Sequence, residues 1–193
     1  MNNTQALTMH EDKKLPGDLA MWFFILAELT VFAIFFISFA VTEQLNSDMF
    51  NQGKAQLHPI AGLLNTLALI TSSFFVALAL NTVHQGHSKI SVKWLITALV
   101  FAVLYLVVKM WEYQSLFRLG INLETNTFFT LYFLITAFHF LHVILGMIIL
   151  SYITIRTYKG AYRDNISGFE AGASYWHMVD LLWIILFPLI YVI

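Results

Sequence analysis

Residues 128–155 read FFTLYFLITAFHFLHVILGMIILSYITI, a run that contains no lysine, arginine, aspartate or glutamate. An α-helix rises about 1.5 Å per residue, so roughly 20 apolar residues cross the ~30 Å hydrocarbon core of a bilayer. This stretch exceeds that length, and polar connectors flank it on both sides. It therefore predicts a membrane-spanning helix over Phe128–Ile155.

Four further apolar blocks have a similar length: Leu19–Thr42, Ile60–Val83, Trp94–Phe117 and Ala173–Ile193. Only helices and closed barrels satisfy every backbone group in lipid, and barrel strands are short, about 10 residues, and alternate strictly. The sequence therefore predicts an all-α, polytopic bundle of five transmembrane helices. We expect residues 18–193 to form a single membrane domain, preceded by a polar cytoplasmic tail at residues 1–17.

The composition of the whole chain supports a membrane location. The 193 residues are 59% hydrophobic and only 11% charged, whereas soluble domains are about 25% charged. Such a chain could not cover its apolar surface in water, and it lacks the high charge of disordered proteins. A net charge of −1 offers no footprint for nucleic acid, and the absence of cysteine excludes disulfides, iron–sulfur clusters and thiol catalysis.

Lysine and arginine in the connectors predict the orientation. One side carries Lys13, Lys14, Lys89, Lys93, Arg156, Lys159 and Arg163, and the other side only Lys54 and Arg118. Because cytoplasmic loops are enriched in these residues, we expect the N-terminus in the cytoplasm and the C-terminus outside.

Several ionisable residues fall inside the predicted spans: Glu28, Lys109, Glu112, Asp180, His139, His142 and His177. A charged side chain at the bilayer centre costs at least about 2.5–3.5 kcal/mol, so each needs a partner, a neutral state or a wet cavity. Glu28 fits either a proton carrier or a hydrogen-bonded carboxyl that ties two helices together. Lys109 and Glu112 are three residues apart, which predicts a local ion pair near the membrane interface.

The histidines allow two interpretations. His139 and His142 share one helix face and could bind a metal if Glu28, His177 or Asp180 supplied further ligands. Alternatively, the imidazoles hydrogen-bond Glu28 and Asp180 across the bundle. Small and polar residues on the second span, among them Asn65, Ser72 and Ser73, suit close packing of helices. The Gly168–Gly172 spacing at a helix entry predicts a turn.

Two long motifs resemble subunit III of haem–copper oxidases. Residues 168–183, GFEAGASYWHMVDLLW, resemble its last-helix signature, and residues 136–146, TAFHFLHVILG, resemble the signature of the preceding helix. Trp111-Glu112-Tyr113 and Phe24–Glu28 are similar to its acidic–aromatic stretch and its helix with a buried glutamate. The chain looks like the short five-helix form, and Pro16–Trp22 and Leu63–Thr66 look most like the nitric-oxide reductase accessory branch.

The resemblance implies a non-catalytic accessory subunit of a cytochrome c or quinol oxidase in aerobic electron transport. It implies a multi-pass protein of the bacterial inner membrane that binds phospholipid and supports the stability and proton uptake of a catalytic partner. That partner would carry the haem, with copper or iron, and this chain would hold no cofactor or metal. The alternative partner is a nitric-oxide reductase.

The resemblance also implies roles for single residues, none of them catalytic. Glu28 would be the buried carboxylate, with His139 or His142 as its hydrogen-bond partner, and His177 and Asp180 would complete a buried polar network. A second set is expected to be structural or lipid-facing: Asn65, Glu112, Glu170, Trp176 and Trp183.

Two alternatives from other classes remain open at the level of sequence. One is an independent proton-coupled transporter that uses Glu28, His139 and Asp180 as a relay. The other is a metal or haem enzyme built on the His139–His142 pair.

Overall fold

The computed structural model describes residues 19–162 and 165–192. These residues form six helices and no strand: α1 (Leu19–Leu45), α2 (Ser47–Lys54), α3 (Pro59–His84), α4 (Ser88–Arg118), α5 (Thr127–Tyr158) and α6 (Ser167–Tyr191). All except α2 are long and apolar enough to cross a membrane. The predicted all-α fold with five spans is therefore confirmed.

Two spans begin six residues earlier than predicted: α4 begins at Ser88 instead of Trp94, and α6 at Ser167 instead of Ala173. In the first turns of α6, the small residues Ala171, Gly172 and Ala173 are buried. The connector between the first two spans contains α2, which the sequence did not predict. Phe50 and Gly53 of α2 are buried, and the Phe50 ring packs 5.2 Å from that of Phe128 on α5. Tertiary contact thus holds a helix whose composition is mostly polar.

Helices α3 and α4 form a tight antiparallel hairpin. The chain reverses at Gly86, whose φ of 78° is readily adopted only by glycine. Two serine hydroxyls cross the hairpin: Ser72 donates to the carbonyl of Ala98 and Ser91 to that of Ala79, each at 2.8 Å. Both serines are fully buried, so their hydrogen bonds replace the water that the bilayer interior lacks.

Glycines allow α5 and α6 to approach each other. A Cβ atom on Gly146 would lie 2.7 Å from Cε3 of Trp176, and one on Gly172 would lie 2.2 Å from Cδ1 of Ile153. The expectation that the Gly168–Gly172 spacing marks a turn is wrong, because both glycines lie inside α6. At Gly172 the absence of a side chain permits close packing against α5.

The N-terminal tail at residues 1–17 and three of the cations used for orientation lie outside the described residues: Lys13, Lys14 and Arg163. The direction of insertion stays a prediction. Helix α1 packs against α5 and α6 and exposes large apolar side chains along its length, among them Phe23, Leu26, Ile34, Ile37 and Val41. Its outer face therefore suits contact with lipid or with another protein.

We expect Gly146→Ala to destabilise the bundle. The added methyl group would overlap the Trp176 ring, and overpacking of this kind costs about 1–3 kcal/mol, more than the up to ~1 kcal/mol that alanine gains over glycine in a helix. Gly168→Ala is the matched control, since its nearest neighbour would be 3.6 Å away. Thermal unfolding in detergent should rank Gly146→Ala below wild type and Gly168→Ala at or above it; equal midpoints for both variants would contradict the packing described here.

Candidate functional site

A carboxyl–imidazole pair joins α1 to α5. Oε2 of Glu28 lies 2.9 Å from Nε2 of His142, and Nδ1 of the same imidazole lies 2.7 Å from the carbonyl oxygen of Phe138. Both side chains are mostly buried, and the rings of Phe32 and Phe138 pack on the imidazole at 5.3 and 4.6 Å. This pair is the tie between helices that the sequence predicted.

The geometry assigns the protons of this pair. A carbonyl oxygen only accepts hydrogen bonds, so Nδ1 of His142 donates to Phe138. The contact between Nε2 and the Glu28 carboxyl then contains one proton, held either by the carboxyl or by the imidazole. The pair is therefore a neutral hydrogen bond or an ion pair, and the two forms differ only by a shift of that proton.

The second histidine of the predicted pair has different surroundings. His139 is fully buried, and neither ring nitrogen has a hydrogen-bond partner among the described residues. Its ring lies 5.9 Å from that of Tyr105 and 5.1 Å from that of Trp183. Of the two candidates for the Glu28 contact, the structure selects His142.

A fully buried ion pair lies at the α4–α5–α6 contact. The Lys109 ammonium is 2.8 Å from Oε2 of Glu112, and it donates to the hydroxyls of Tyr132 and Tyr191 at 3.0 Å each. The Tyr191 hydroxyl also lies 2.8 Å from both oxygens of Glu112. Neither charged side chain is exposed. The predicted ion pair is confirmed, and both groups face the bundle interior. Their predicted position near the membrane interface stays a prediction.

Aromatic rings complete the surroundings of the ammonium. Nζ of Lys109 lies 4.8–5.6 Å from the centroids of four rings, those of Tyr113, Tyr132, Trp183 and Tyr191. The negative face of an aromatic ring attracts a cation, and the attraction is stronger away from water. Together with Glu112, these rings offset the cost of burying the charge.

A third polar group connects α3 to α6. Oγ of Ser73 lies 2.5 Å from Nδ1 of His177, and it also neighbours the Asp180 carboxyl one turn further along α6. Oδ1 of Asp180 has no partner among the described residues. Neither His139 nor His142 bonds Asp180, so the expected contact of these histidines with this acid is wrong.

The second set of predicted residues lies mostly in the core. Asn65, Glu112, Trp176 and Trp183 are at most 1% exposed, so the lipid-facing alternative is wrong for these four. The Trp183 indole donates to the hydroxyl of Thr66 at 3.0 Å, which explains its inward direction. Glu170 is partly exposed, with Oε1 3.6 Å from Nε2 of His84.

The described residues offer no third ligand for a metal bound by His139 and His142. Within residues 19–162 and 165–192, no group of three or more histidine, cysteine, aspartate or glutamate side chains could hold a metal ion. His142 is already engaged by Glu28 and Phe138.

Sequence reasoning missed the tyrosines of the site. The hydroxyls of Tyr132 and Tyr191 accept hydrogen bonds from the Lys109 ammonium, and the Tyr113 hydroxyl donates to that of Thr136 at 2.8 Å. A partial signal existed on α5, where Tyr132, Thr136 and His139 follow the i, i+4, i+7 spacing of one helix face. No comparable pattern indicated Tyr191, which lies far along the chain from Lys109.

These features define a class: a polytopic helical membrane protein whose ionisable groups pair with each other inside the bundle. Residues 7–193 match the family described as cytochrome c oxidase subunit III. The chain belongs to this family.

Named relatives extend the match. The chain is 30% identical to the heme-copper oxidase subunit I+III of Aeropyrum pernix, over 90% of this chain but 22% of the relative, a much longer protein. It is 35% identical to cytochrome c oxidase subunit 3 of Triticum aestivum, over 96% of this chain and 72% of the relative. It is 25% identical to the probable quinol oxidase subunit 3 of Staphylococcus saprophyticus, over 91% and 88%.

We expect Lys109→Met to destabilise the protein strongly, because it leaves the Glu112 carboxylate buried without its cation. Removing one partner of a buried ion pair costs about 3–5 kcal/mol. The double variant Lys109→Met/Glu112→Gln should recover part of this loss, since no unpaired charge remains. Thermal unfolding in detergent measures both.

Lys93→Met is the matched control on the same helix, because Lys93 is exposed. A Lys109→Met variant as stable as this control would show that the ion pair does not hold α4, α5 and α6 together.

Proposed function

We propose that this chain is the non-catalytic accessory subunit III of a respiratory haem–copper oxidase. The observation that carries the proposal is the family match, which extends over residues 7–193. The relatives include subunits named for cytochrome c oxidase and for quinol oxidase, so both electron donors fit the family.

The partner in this proposal is the catalytic subunit that holds the haem and copper. The Aeropyrum pernix relative is named as a fusion of subunits I and III, and fusion places two subunits side by side in one protein. For this chain, the exposed apolar face of α1 is a suitable surface for such a neighbour or for lipid. The oxidase chemistry would take place on the partner, while this chain supports its stability.

The proposed location is the bacterial cytoplasmic membrane, with the N-terminus in the cytoplasm. Five spans support a multi-pass protein. On one side, Lys89 lies in the first turn of α4 and Lys159 directly follows α5, whereas the opposite side has Lys54 and Arg118. This distribution supports the proposed direction through the positive-inside rule.

The polar groups of the site are proposed to have different roles. Lys109, Glu112 and the tyrosines around them join three helices, so we assign them to the stability of the bundle. The Glu28–His142 pair is mostly buried, and the proton between the two groups can lie on either of them. This arrangement suits a role in proton uptake by the complex as well as a structural one. Lipid binding is the third proposed contribution.

The two alternative functions, a nitric-oxide reductase subunit and an independent transporter, have less support. The relatives reported above are named for oxidases, and none for a nitric-oxide reductase, so that branch stays a prediction. A transporter relay would need proton transfer between Glu28, His139 and Asp180. Among the described residues, no hydrogen bond joins any two of these three side chains.

Affinity purification from native membranes in mild detergent tests the assembly. We expect a tagged chain to bring down a large subunit with the absorbance spectrum of haem, because accessory subunits stay bound to the catalytic subunit. A tagged unrelated membrane protein of similar size serves as the control. Recovery of the chain alone, free of haem, would overturn the proposal.

Substitution of Glu28 separates its two roles. If the carboxyl mainly ties α1 to α5, Glu28→Gln should change oxidase activity and stability little, because an amide keeps a hydrogen bond to His142. Glu28→Ala should then be more harmful. The measurements are steady-state turnover of the purified complex and its thermal midpoint. Equal loss of activity with both variants, at unchanged stability, would instead assign Glu28 to proton transfer.

A further inference from the structure

Three surface cavities meet at Trp111, near the carboxyl-terminal end of α4. The α3–α4 groove has a volume of about 460 Å³ and is lined by Ile60, Leu64, Val107, Val108 and Trp111, among others. The α4–α5 groove, of about 520 Å³, lies on the other side of α4 and is lined by Val103, Leu106, Val107, Met110, Trp111, Gln114 and Phe140. The polar notch, of about 190 Å³, is lined by Trp111, Gln114, Ser115, Arg118 and Leu119.

The three cavities follow one order along the helix axis. From Trp111 the α3–α4 groove extends back along α4 to Val107, and the α4–α5 groove extends from Gln114 back to Val103. The polar notch extends the other way, to Leu119. At 1.5 Å per residue, Arg118 lies about 10 Å beyond Trp111 along α4. The apolar grooves thus face the bilayer interior, and the polar notch lies at its boundary. A phospholipid has the same order of chains and headgroup.

A ridge separates the two grooves. Val107 and Trp111 line both of them, and both side chains are more than half exposed, at 60% and 54%. The His58 ring lies 5.4 Å from that of Trp111 and supports it from the start of α3. A molecule with two apolar chains can straddle this ridge with one chain in each groove, whereas a single chain leaves one groove unused.

The charge of the polar notch selects the headgroup. Arg118 is exposed and forms no ion pair with any described residue, whereas Lys54, the other cation on this side, pairs with Glu43. No acidic side chain among the described residues lines the polar notch, so it offers no partner for a headgroup ammonium. A guanidinium matches a phosphate through two parallel hydrogen bonds, and Gln114 and Ser115 add further donors.

We propose that Trp111 and Arg118 form the centre of a binding site for one two-chain phospholipid with an anionic headgroup. The chains occupy the α3–α4 and α4–α5 grooves, and the phosphate occupies the polar notch against Arg118. This inference rests on the lipid binding proposed above. It adds the location of the site, the number of lipids bound and the charge of the headgroup.

The test uses the full chain in mild detergent, without any partner subunit, so its outcome is separate from that of the co-purification experiment. Phosphatidylglycerol or phosphatidylcholine with dibrominated chains is titrated, and quenching of tryptophan fluorescence is recorded. The difference between wild type and Trp111→Phe isolates the Trp111 signal. We expect one binding site with ~5-fold tighter binding of phosphatidylglycerol, as one cation near the headgroup provides.

Two variants distinguish recognition of the headgroup from binding of the acyl chains. Arg118→Gln should remove the preference for phosphatidylglycerol while both lipids still quench. Val107→Phe should abolish saturable quenching by both, because Val107 borders both grooves and its exposed position accepts a larger ring. The matched controls are Lys93→Gln, an exposed cation at the other end of α4, and Ile148→Phe, an exposed apolar position on α5. Both controls should behave like wild type.

Two competitors test the need for two chains and a charge. Lysophosphatidylglycerol, with one chain, should displace the brominated lipid less well than phosphatidylglycerol, and glycerol phosphate, with none, should not displace it. The proposal is overturned if both brominated lipids bind equally to wild type or if Arg118→Gln keeps the preference. It is equally overturned if a neutral isoprenoid quinone displaces the lipid better than phosphatidylglycerol does.

Discussion

The buried ammonium of Lys109 shows the constraint under which the whole bundle is built. No water in the hydrocarbon core can solvate a charge, so the protein itself must supply every partner. Here the partners come from three helices: Glu112 from α4, Tyr132 from α5 and Tyr191 from α6. Because the charge is stable only when all three helices meet, it also specifies how they meet. Replacing a whole buried pair by well-packed apolar residues is often neutral, whereas removal of one partner is strongly destabilising. The pair therefore penalises any arrangement of the helices that separates the two charges, and in this way it specifies their register.

The same constraint explains the other polar contacts between helices. Ser72 and Ser91 donate to backbone carbonyls across the α3–α4 hairpin, and Ser73 contacts His177 between α3 and α6. Glu28 and His142 tie α1 to α5. Each long helix therefore has at least one polar tie to a neighbour. In lipid, where apolar burial does not drive helices together, such ties and close glycine contacts decide which faces pair.

The fold followed from the sequence more readily than the site did. Hydropathy predicted five spans because each long helix must be apolar over about 20 residues whatever it packs against. It missed α2, because Ser47–Lys54 is polar and is held by Phe50 and Gly53 against Phe128 on α5. Spacing predicted the Lys109–Glu112 pair, since residues three apart on a helix are neighbours. It could not predict that both groups are fully buried, because burial depends on the side chains that α5 and α6 place around them.

The sequence by itself determined the class of protein, the number of spans and the family. These depend on composition, on local runs and on motifs contiguous in the chain. Only the tertiary structure decided that His142, and not His139, meets Glu28, that Asn65, Trp176 and Trp183 face inward, and that Trp111 separates two grooves beside Arg118. These outcomes depend on the rotation of each helix about its own axis. That rotation is determined by contacts between residues far apart in the chain, which a local sequence pattern does not contain.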